Sequence, residues 1–412
     1  MKLIDEKYRA LRPHIDLLGD EVIMAQAWKK TNSYIRTHNW YADTLALDIS
    51  ALGLEVNAQL WAKNIRMPEA KLTDLELVPA AKTEPWGVGK EGWAPKRSEK
   101  ERKIKPPIRP LAHLTVRDQT WSTALMMCLA DAVETAQGDC TTLDYQQAQK
   151  NGVYSYGNRL LCDWKVEEKK AWFRWGNGET YRKFFTDYQN FLKRPIEIGR
   201  SIAKSYSDSD HVYVINMDLS KFYDHIDRSL LLKYLKDIAL DKKRGDECLE
   251  FWAAAEKITS WHWDEDAYAI EKELEITLGK AGKGLPQGLV AAGFFANAYM
   301  VKFDQLIGSY IGKALPNAPG LLLHDYCRYV DDLRLVVSIE DFDVDRLGIF
   351  TSKWIEDQLA KTTGGSLKIN DDKTTITALS DLDNAGSISG RIAFLQDELS
   401  GPADRDVLNN SM

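Results

Sequence analysis

The sequence is poor in cysteine and lacks long hydrophobic runs. Its 412 residues contain five cysteines, at positions 128, 140, 162, 248 and 327, and none of them forms a Cys-x-x-Cys pair. Neither a zinc site nor a disulfide framework is therefore indicated. The seven histidines show no spacing typical of metal ligands. The longest apolar stretches, such as 289–300, are too short to cross a bilayer, and no signal peptide opens the chain, so we expect a cytoplasmic protein without membrane contact.

The chain also lacks the positive net charge that is common in nucleic-acid enzymes. It has 54 Lys and Arg against 61 Asp and Glu, and residues 331–412 alone carry 16 acidic and 8 basic side chains. One segment is locally basic, with Lys96, Arg97, Lys100, Arg102, Lys103, Lys105 and Arg109. Phosphate contacts depend on local charge, so we expect this segment to bind nucleic acid, but a solvated loop would have the same composition.

Two adjacent carboxylates, Asp331 and Asp332, lie between two short β-type runs within 328–337. Side-by-side like charges at a predicted strand-to-strand turn are destabilising unless a cation neutralises them. The pair Asp371 and Asp372 offers a comparison, because its polar surroundings are typical of a solvated turn. The apolar runs around Asp331 and Asp332 instead favour a divalent metal site.

A third carboxylate ends a predicted buried strand. Residues 211–218 are rich in β-branched and apolar side chains and finish on Asp218. If this strand lies beside the 326–337 hairpin, three carboxylates converge. Such a set suits two Mg²⁺ ions, with Mn²⁺ as a substitute, which would activate a primer 3′-hydroxyl and stabilise the leaving pyrophosphate.

A rigid turn, Gly284–Gly288, lies between these elements and contains Gln287, whose side chain can hydrogen-bond a base or sugar. Alone this turn is a weak signal. The order of Asp218, then Gly284–Gly288, then Tyr329–Asp332 resembles that of the reverse transcriptases. The resemblance is closer to bacterial members (retron, group II intron and abortive-infection or unknown-group types) than to retroviral ones.

The resemblance implies a role for each matching residue. Asp218, Asp331 and Asp332 would be catalytic and bind the metals, and Gln287 would contact the incoming nucleotide. Tyr223, five residues after the first aspartate, would be the gate that excludes a ribose 2′-hydroxyl and so favours deoxynucleotides.

Two further motifs are similar to those of the family. Residues 155–159 resemble a fingers motif, with Asn158 in place of the usual aromatic, and Arg159 would then hold triphosphate oxygens, although a surface arginine is an equally good interpretation. Residues 367–374 resemble the motif whose lysine, here Lys373, donates a proton to pyrophosphate; a solvated loop lysine is the alternative.

The resemblance implies an α+β fold of the right-hand polymerase architecture, in which helices cover an antiparallel sheet, with fingers and palm and a short or missing thumb. Five parts are predicted, namely an N-terminal helical region (1–78), a basic Pro/Gly-rich loop (79–107), fingers (108–208), a palm (209–380) with a helical insertion near 243–275, and a primer-grip-like segment with the start of a thumb or C-terminal domain (381–412). We expect the N-terminal tryptophans, among them Trp28 and Trp61, to lie in the core.

The sequence therefore predicts a reverse transcriptase with an RNA template, dNTP substrates and a DNA product. The N-terminal block 38–43 and the lack of a recognisable maturase or endonuclease module resemble the bacterial enzymes of antiphage defence (abortive infection). Members of that group copy a noncoding RNA or extend a protein primer without a template. A retron-type enzyme with a dedicated RNA is the alternative, and a catalytically silent RNA-binding scaffold is an alternative of another class. The oligomeric state stays open.

Overall fold

A computed structural model gives the fold. It describes residues 6–38, 43–82, 86–89, 92–95, 108–205, 211–240, 248–280, 282–340 and 342–384. The α-helices of these residues are α1 (Ile15–Leu18), α2 (Glu21–His38), α3 (Thr44–Leu52), α4 (Leu54–Asn64), α5 (Val116–Gln137), α6 (Tyr145–Lys150), α7 (Phe184–Ala203), α8 (Phe222–His225), α9 (Arg228–Ala239), α10 (Leu249–Ile258), α11 (Glu265–Leu274), α12 (Ala292–Gly308), α13 (Leu347–Thr363) and α14 (Leu379–Asn384).

The strands are β1 (Glu76–Ala81), β2 (Trp86–Gly89), β3 (Gly92–Pro95), β4 (Ile108–His113), β5 (Cys162–Lys165), β6 (Lys170–Phe173), β7 (Val212–Asp218), β8 (Lys313–Leu315), β9 (Ala318–Tyr329), β10 (Asp332–Ile339) and β11 (Thr375–Ala378). All their pairings are antiparallel. The predicted α+β class, with an antiparallel sheet and covering helices, is confirmed. The described helices include none that is long and apolar enough to cross a membrane.

The chain divides into two compact units. One comprises the described parts of 13–128 and 246–292, and the other those of 1–12, 129–245 and 293–412. In the first unit, Trp28 donates its indole N–H to Ser50 Oγ (2.8 Å), and Trp121 donates to the carbonyl of Trp61 (3.1 Å). Trp28 and Trp61 are both buried, so their predicted place in the core is confirmed.

The segment interpreted as a basic loop, 79–107, contains regular structure in its described parts. The end of β1 lies within it and pairs with β4, and β2 pairs with β3 so that Gly89 lies opposite Gly92. The two helices α10 and α11 lie within the predicted helical insertion near 243–275. Beyond α14, the predicted primer-grip-like segment lies outside the described residues.

The second unit contains a five-stranded antiparallel sheet with the order β11-β7-β10-β9-β8. Its central strands β7, β10 and β9 are rich in Val, Leu and Ile, as expected for strands that are buried on both faces. Helix α7 packs against all three of these strands. The predicted strand 211–218 and the predicted hairpin within 326–337 are confirmed as β7 and as the β9–β10 hairpin. This sheet therefore carries all three predicted carboxylates.

Candidate active site

The three predicted carboxylates lie together at one edge of the sheet. In the antiparallel pairing of β7 with β10, Asp218 is directly opposite Asp332. Asp331 occupies the turn between β9 and β10, and its carbonyl accepts a hydrogen bond from the backbone N–H of Leu219 (3.0 Å). The convergence follows from sheet register, because side chains of directly opposed residues lie on the same face.

Two of the carboxylates, Asp331 and Asp332, have raised pKa values. The pKa of Asp331 is raised to about 6, first by burial and then by the neighbouring charges of Asp332 and Asp218. The pKa of Asp332, on the exposed side of the turn, is raised first by desolvation and then by Asp218. Ionisation of these carboxyl groups is therefore unfavourable in free energy, and a bound cation would offset it.

One lysine already neutralises part of this charge. Lys373 Nζ lies 2.9 Å from Asp218 Oδ2, and the pKa of Lys373 is raised, chiefly by this hydrogen bond. Asn370 reaches the same oxygen with its side-chain N–H (3.4 Å), and its backbone N–H donates to the carbonyl of Asp218 (2.8 Å). The predicted motif at 367–374 thus supplies a cation and an amide to the first aspartate.

The carboxylates fit a hard divalent cation by their chemistry. Carboxylate oxygens are the donors that Mg²⁺ prefers, and Mg²⁺ is commonly held by one or two carboxylates, with waters and substrate phosphates completing the shell. Within the described residues, no three His, Cys, Asp or Glu side chains are grouped so that they could hold a metal ion by themselves.

The turn that carries Asp331 is held in an unusual conformation. Val330 has φ +56°, a left-handed value that is strained for a β-branched residue. On one side Tyr329 packs edge-on against Phe184 and Tyr188, with ring centroids 5.5 and 5.2 Å apart. On the other side Gly157 is so close that an added Cβ would lie 2.6 Å from the backbone nitrogen of Val330. Tight packing on both sides maintains the strained turn.

A buried arginine supports the same turn from inside the unit. Arg328 forms a two-point ion pair with Asp304, with Nε–Oδ1 and Nη2–Oδ2 distances of 3.0 and 2.8 Å. Its Nη1 donates to the carbonyl of Val330 (2.9 Å) and to Asn297 Oδ1 (3.2 Å). Arg328 is fully buried, so these contacts fix the backbone beside Asp331.

The predicted sugar gate, Tyr223, lies on the short helix α8 that follows β7. Lys221, three residues after Asp218, has φ +47°, and α8 begins at the next residue. The Tyr223 ring is half-buried and contacts Phe222, and its hydroxyl is 3.4 Å from Asn158 Nδ2. Asn158, which replaces the aromatic residue of the resembled motif, is thus a partner of the gate.

The guanidinium of Arg159 is buried and paired within the protein, in contrast to the exposed position that a triphosphate ligand requires. Its guanidinium pairs with Glu134 (2.8 Å) and donates to the carbonyls of Ser155 and Gly138 (2.8 and 2.5 Å). Only 2% of the residue is exposed, and loss of the Glu134 partner would leave a buried charge. A side chain held in this way supports the 155–159 loop, so we remove Arg159 from the candidate nucleotide site.

Gln287 belongs to the other unit, so its contact with a nucleotide stays a prediction. Two hydrogen bonds hold the end of the Gly284–Gly288 turn. The Ala112 N–H donates to the carbonyl of Gln287 (2.7 Å), and the Gln119 side chain donates to the carbonyl of Gly288 (2.7 Å). Gly288 has φ +129°, and an added Cβ would lie 2.5 Å from the carbonyl oxygen of Ala112. Glycine is therefore required there for both conformation and space.

The predicted nucleic-acid-binding segment is described only at its end. Arg109 is exposed on β4. The other predicted members, Lys96, Arg97, Lys100, Arg102, Lys103 and Lys105, lie outside the described residues. Their role stays a prediction.

Sequence reasoning missed the buried residues that support the turn before Asp331. Arg328, Asn297 and Asp304 were given no role, although each is a polar residue within an otherwise apolar strand or helix. That pattern is a usable signal, because a buried polar group requires a partner. The partners themselves depend on tertiary contacts and cannot be read from local spacing.

Comparison with known proteins gave a family match and distant structural neighbours. A family model described as reverse transcriptase (RNA-dependent DNA polymerase) matches residues 185–395, about half of the chain. No curated protein matches.

The solved structures similar to the chain include two telomerases. Apo telomerase from Candida tropicalis has 12% identity and a TM-score of 0.37, over 76% of this chain and 45% of that one. Telomerase from Candida albicans in complex with a TWJ fragment of telomeric RNA has 12% identity and a TM-score of 0.32, over 78% and 45%. The chain thus spans about half the length of these telomerase chains.

Proposed function

Because the chain belongs to the reverse transcriptase family, we propose that it is an RNA-directed DNA polymerase whose active site is built on Asp218, Asp331 and Asp332. The observation that carries the proposal is the register of β7 against β10, which sets Asp218 opposite Asp332 with Asp331 next to it. Mutually repelling carboxylates at one sheet edge are costly in a protein that only binds RNA. They have a purpose in a polymerase that holds divalent metal.

Each residue of the proposed site has one task. Asp218, Asp331 and Asp332 would hold two Mg²⁺ ions, or Mn²⁺ in their place. When bound, these ions lower the pKa of the primer 3′-hydroxyl and neutralise charge on the pyrophosphate that leaves. The protonated Lys373 is in hydrogen-bonding distance of Asp218 and could deliver its proton to the leaving pyrophosphate. Tyr223 would fill the space of a 2′-hydroxyl, and Gln287 would contact the incoming dNTP.

Primer extension tests the activity. The purified protein should extend a DNA or RNA primer on an RNA template with dNTPs and Mg²⁺, and the Asp331→Ala/Asp332→Ala variant should not. Nucleic acid that copurifies should be tested as template as well, and every product should be sequenced. Failure of the wild-type protein with all templates, in Mg²⁺ and in Mn²⁺, would refute the polymerase proposal and favour the RNA-binding scaffold.

The finer proposal is a role in bacterial antiphage defence. Its support is the resemblance of the chain's motifs to the abortive-infection and unknown-group enzymes. DNA made on a noncoding RNA, or added to a protein primer without a template, would itself act against the phage. The template, the primer and a possible dedicated RNA of the retron type are distinguished by the products of the extension assay.

A phage challenge tests the biological role separately. Cells that express the wild-type chain should survive infection better than cells that express the Asp331→Ala/Asp332→Ala variant at the same protein level. Equal protection by both proteins, or protection by neither, would reject the defence role and leave the polymerase proposal standing.

A further inference from the structure

One buried amide contacts both the turn of Asp331 and the loop beside Tyr223. Asn297, on α12, is 1% exposed and has its full set of hydrogen bonds. Its Oδ1 accepts from Ser155 Oγ (3.1 Å) and from Arg328 Nη1 (3.2 Å). Its Nδ2 donates to the carbonyls of Gly157 (2.7 Å) and Asn158 (3.1 Å).

The orientation of this amide follows from the chemistry of its partners. A guanidinium can only donate, so Oδ1 must face Arg328, and carbonyl oxygens can only accept, so Nδ2 must face Gly157 and Asn158. The reverse orientation would place donor against donor and acceptor against acceptor. Aspartate, leucine or alanine at this position could satisfy at most one of the two sides.

The Oδ1 atom of Asn297 is connected through Arg328 to the turn that carries Asp331, one of the proposed metal ligands. Arg328 donates to Asn297 with the same Nη1 that donates to the carbonyl of Val330, the residue before Asp331. Asp304 holds the other edge of the guanidinium. Asn297 thus fixes the rotation of Arg328 and, through it, the carbonyl at the turn.

The Nδ2 atom of Asn297 is connected through Asn158 to Tyr223, the predicted sugar gate. Asn297 holds the backbone of Asn158, whose own Nδ2 lies 3.4 Å from the hydroxyl of Tyr223. Asn158 has φ +50°, so its backbone adopts a conformation that needs support. Gly293, one turn before Asn297 on α12, leaves room for the Asn158 side chain, because an added Cβ would lie 2.6 Å from Asn158 Nδ2.

We propose that Asn297 is a positioning residue that sets the catalytic turn and the Tyr223 gate together, so that polymerisation rate and the choice of deoxynucleotide over ribonucleotide depend on one buried amide. The inference rests on the proposed polymerase function. It deepens that function by assigning sugar selectivity to residues behind the gate as well as to the gate itself.

The test compares three alanine variants in the primer-extension assay, with kcat and KM measured separately for a dNTP and for the matching NTP. Asn297→Ala removes the hydrogen bonds of both Oδ1 and Nδ2. Asn158→Ala removes only the partner of the Tyr223 hydroxyl. Asn190→Ala is the matched control, since Asn190 is a buried asparagine of the same unit whose Oδ1 accepts from Tyr145 and not from a residue of the turn or the 155–159 loop.

We expect Asn158→Ala to lower the ratio of kcat/KM for dNTP over NTP about tenfold, as is usual for the loss of one or two hydrogen bonds, and to leave kcat for the dNTP within about twofold. Asn297→Ala should lower the same ratio by a similar factor and also reduce kcat for the dNTP at least about tenfold. Asn190→Ala should leave the ratio unchanged. The ratio does not depend on the fraction of folded protein, so a general loss of stability cannot imitate a change in the ratio.

Two results would overturn the inference while polymerase activity stands. In one, Asn158→Ala keeps the wild-type ratio; in the other, Asn297→Ala lowers kcat/KM for dNTP and NTP by one common factor. Thermal unfolding of Asn297→Ala, compared with that of Asn190→Ala, shows whether the variant folds. If it does not fold, the dNTP/NTP ratio of Asn158→Ala alone decides whether the inference stands. A wild-type protein that extends no primer would overturn the proposed function, and this inference with it.

Discussion

Asp331, a proposed metal ligand, lowers the stability of the fold when its side chain is ionised. Its pKa is raised to about 6 by burial, then by Asp332 and Asp218. A raised carboxyl pKa means that the folded state binds a proton more tightly than the unfolded chain does. Ionisation of Asp331 therefore weakens the fold, and the proposed metal ion would offset this loss.

Replacement of Asp331 by Asn should stabilise the metal-free protein in a pH-dependent way. Below the usual pKa of about 3.8 the carboxyl is neutral in both states and the gain should vanish. The gain should grow as the pH rises through 4 to 6 and then stay constant, with an upper limit of about 3 kcal/mol. Chemical denaturation in a chelator, at pH 4 and pH 7.5, measures it.

Asp371→Asn is the control for that experiment, because Asp371 belongs to an adjacent acidic pair that is exposed. It should change the free energy of unfolding little at either pH. A gain for Asp331→Asn that is as large at pH 4 as at pH 7.5 would mean that repulsion among the carboxylates is not its cause.

Lys373 and Lys368 form a natural pair for a second prediction. Both side chains are more than half exposed, but Lys373 contacts Asp218 whereas Lys368 contacts Glu356. Lys373→Gln should reduce kcat about a hundredfold, the lower end of the usual range for a general acid, and leave the apparent melting temperature unchanged. Lys368→Gln should retain wild-type kcat in the same primer-extension assay. Equal rates for the two variants would remove Lys373 from the mechanism.

At the scale of elements, the loop 155–159 packs against the turn between β9 and β10. The Tyr156 N–H donates to the carbonyl of Arg328 (2.9 Å), and the Arg328 N–H donates to the carbonyl of Tyr154 (2.7 Å). Gly157 then meets Val330 directly. The loop was predicted to contact a nucleotide through Arg159, whereas its described contacts make it a support for the turn.

Gly157→Ala should therefore inactivate the enzyme with little loss of folded protein. The new Cβ would lie 2.6 Å from the Val330 nitrogen and 2.7 Å from its Cγ2, so either the loop or the turn has to move. Gly176→Ala is the control, because a Cβ there meets nothing within 4 Å. We expect kcat to fall at least about a hundredfold in Gly157→Ala, since small displacements of catalytic groups are costly, and to stay unchanged in Gly176→Ala. Circular dichroism and thermal unfolding check that both fold.

These elements also indicate how far sequence reasoning reaches. Residues 211–218 and 326–337 have the apolar β-branched pattern of strands, and both predictions are confirmed. The meeting of Asp218 with Asp332 needed only antiparallel pairing of those strands. The role of Arg159 as a triphosphate ligand does not agree with its burial. The motif gives its position in the chain but not its partner Glu134, which lies on α5. Asn297 and Arg328 were missed for the same reason: their partners are distant in sequence.

At the scale of the whole molecule, the three carboxylates all belong to one compact unit, made of the described parts of 1–12, 129–245 and 293–412. Family membership and the sheet register support a single metal-dependent site there. Gln287 and the basic segment belong to other parts of the chain, and their participation stays a prediction.

Divalent metal should therefore raise the stability of the whole protein. Binding of Mg²⁺ or Mn²⁺ to the folded state alone adds about 1.4 kcal/mol at a metal concentration ten times the dissociation constant. The apparent melting temperature of the wild type should rise with metal concentration, and that of Asp331→Ala/Asp332→Ala should not. An equal rise in both proteins would place the metal elsewhere.

The order of the strands also has a consequence for synthesis on the ribosome. Strand β7 lies between β10 and β11, and both of these neighbours follow it in the chain by more than a hundred residues. During translation, β7 must wait for both, with its apolar side chains and ladder groups uncovered. Nascent chains that stall before β10 expose the apolar side chains of β7 and lack Asp332. Chaperone demand during expression should therefore be greatest between the emergence of β7 and that of β11.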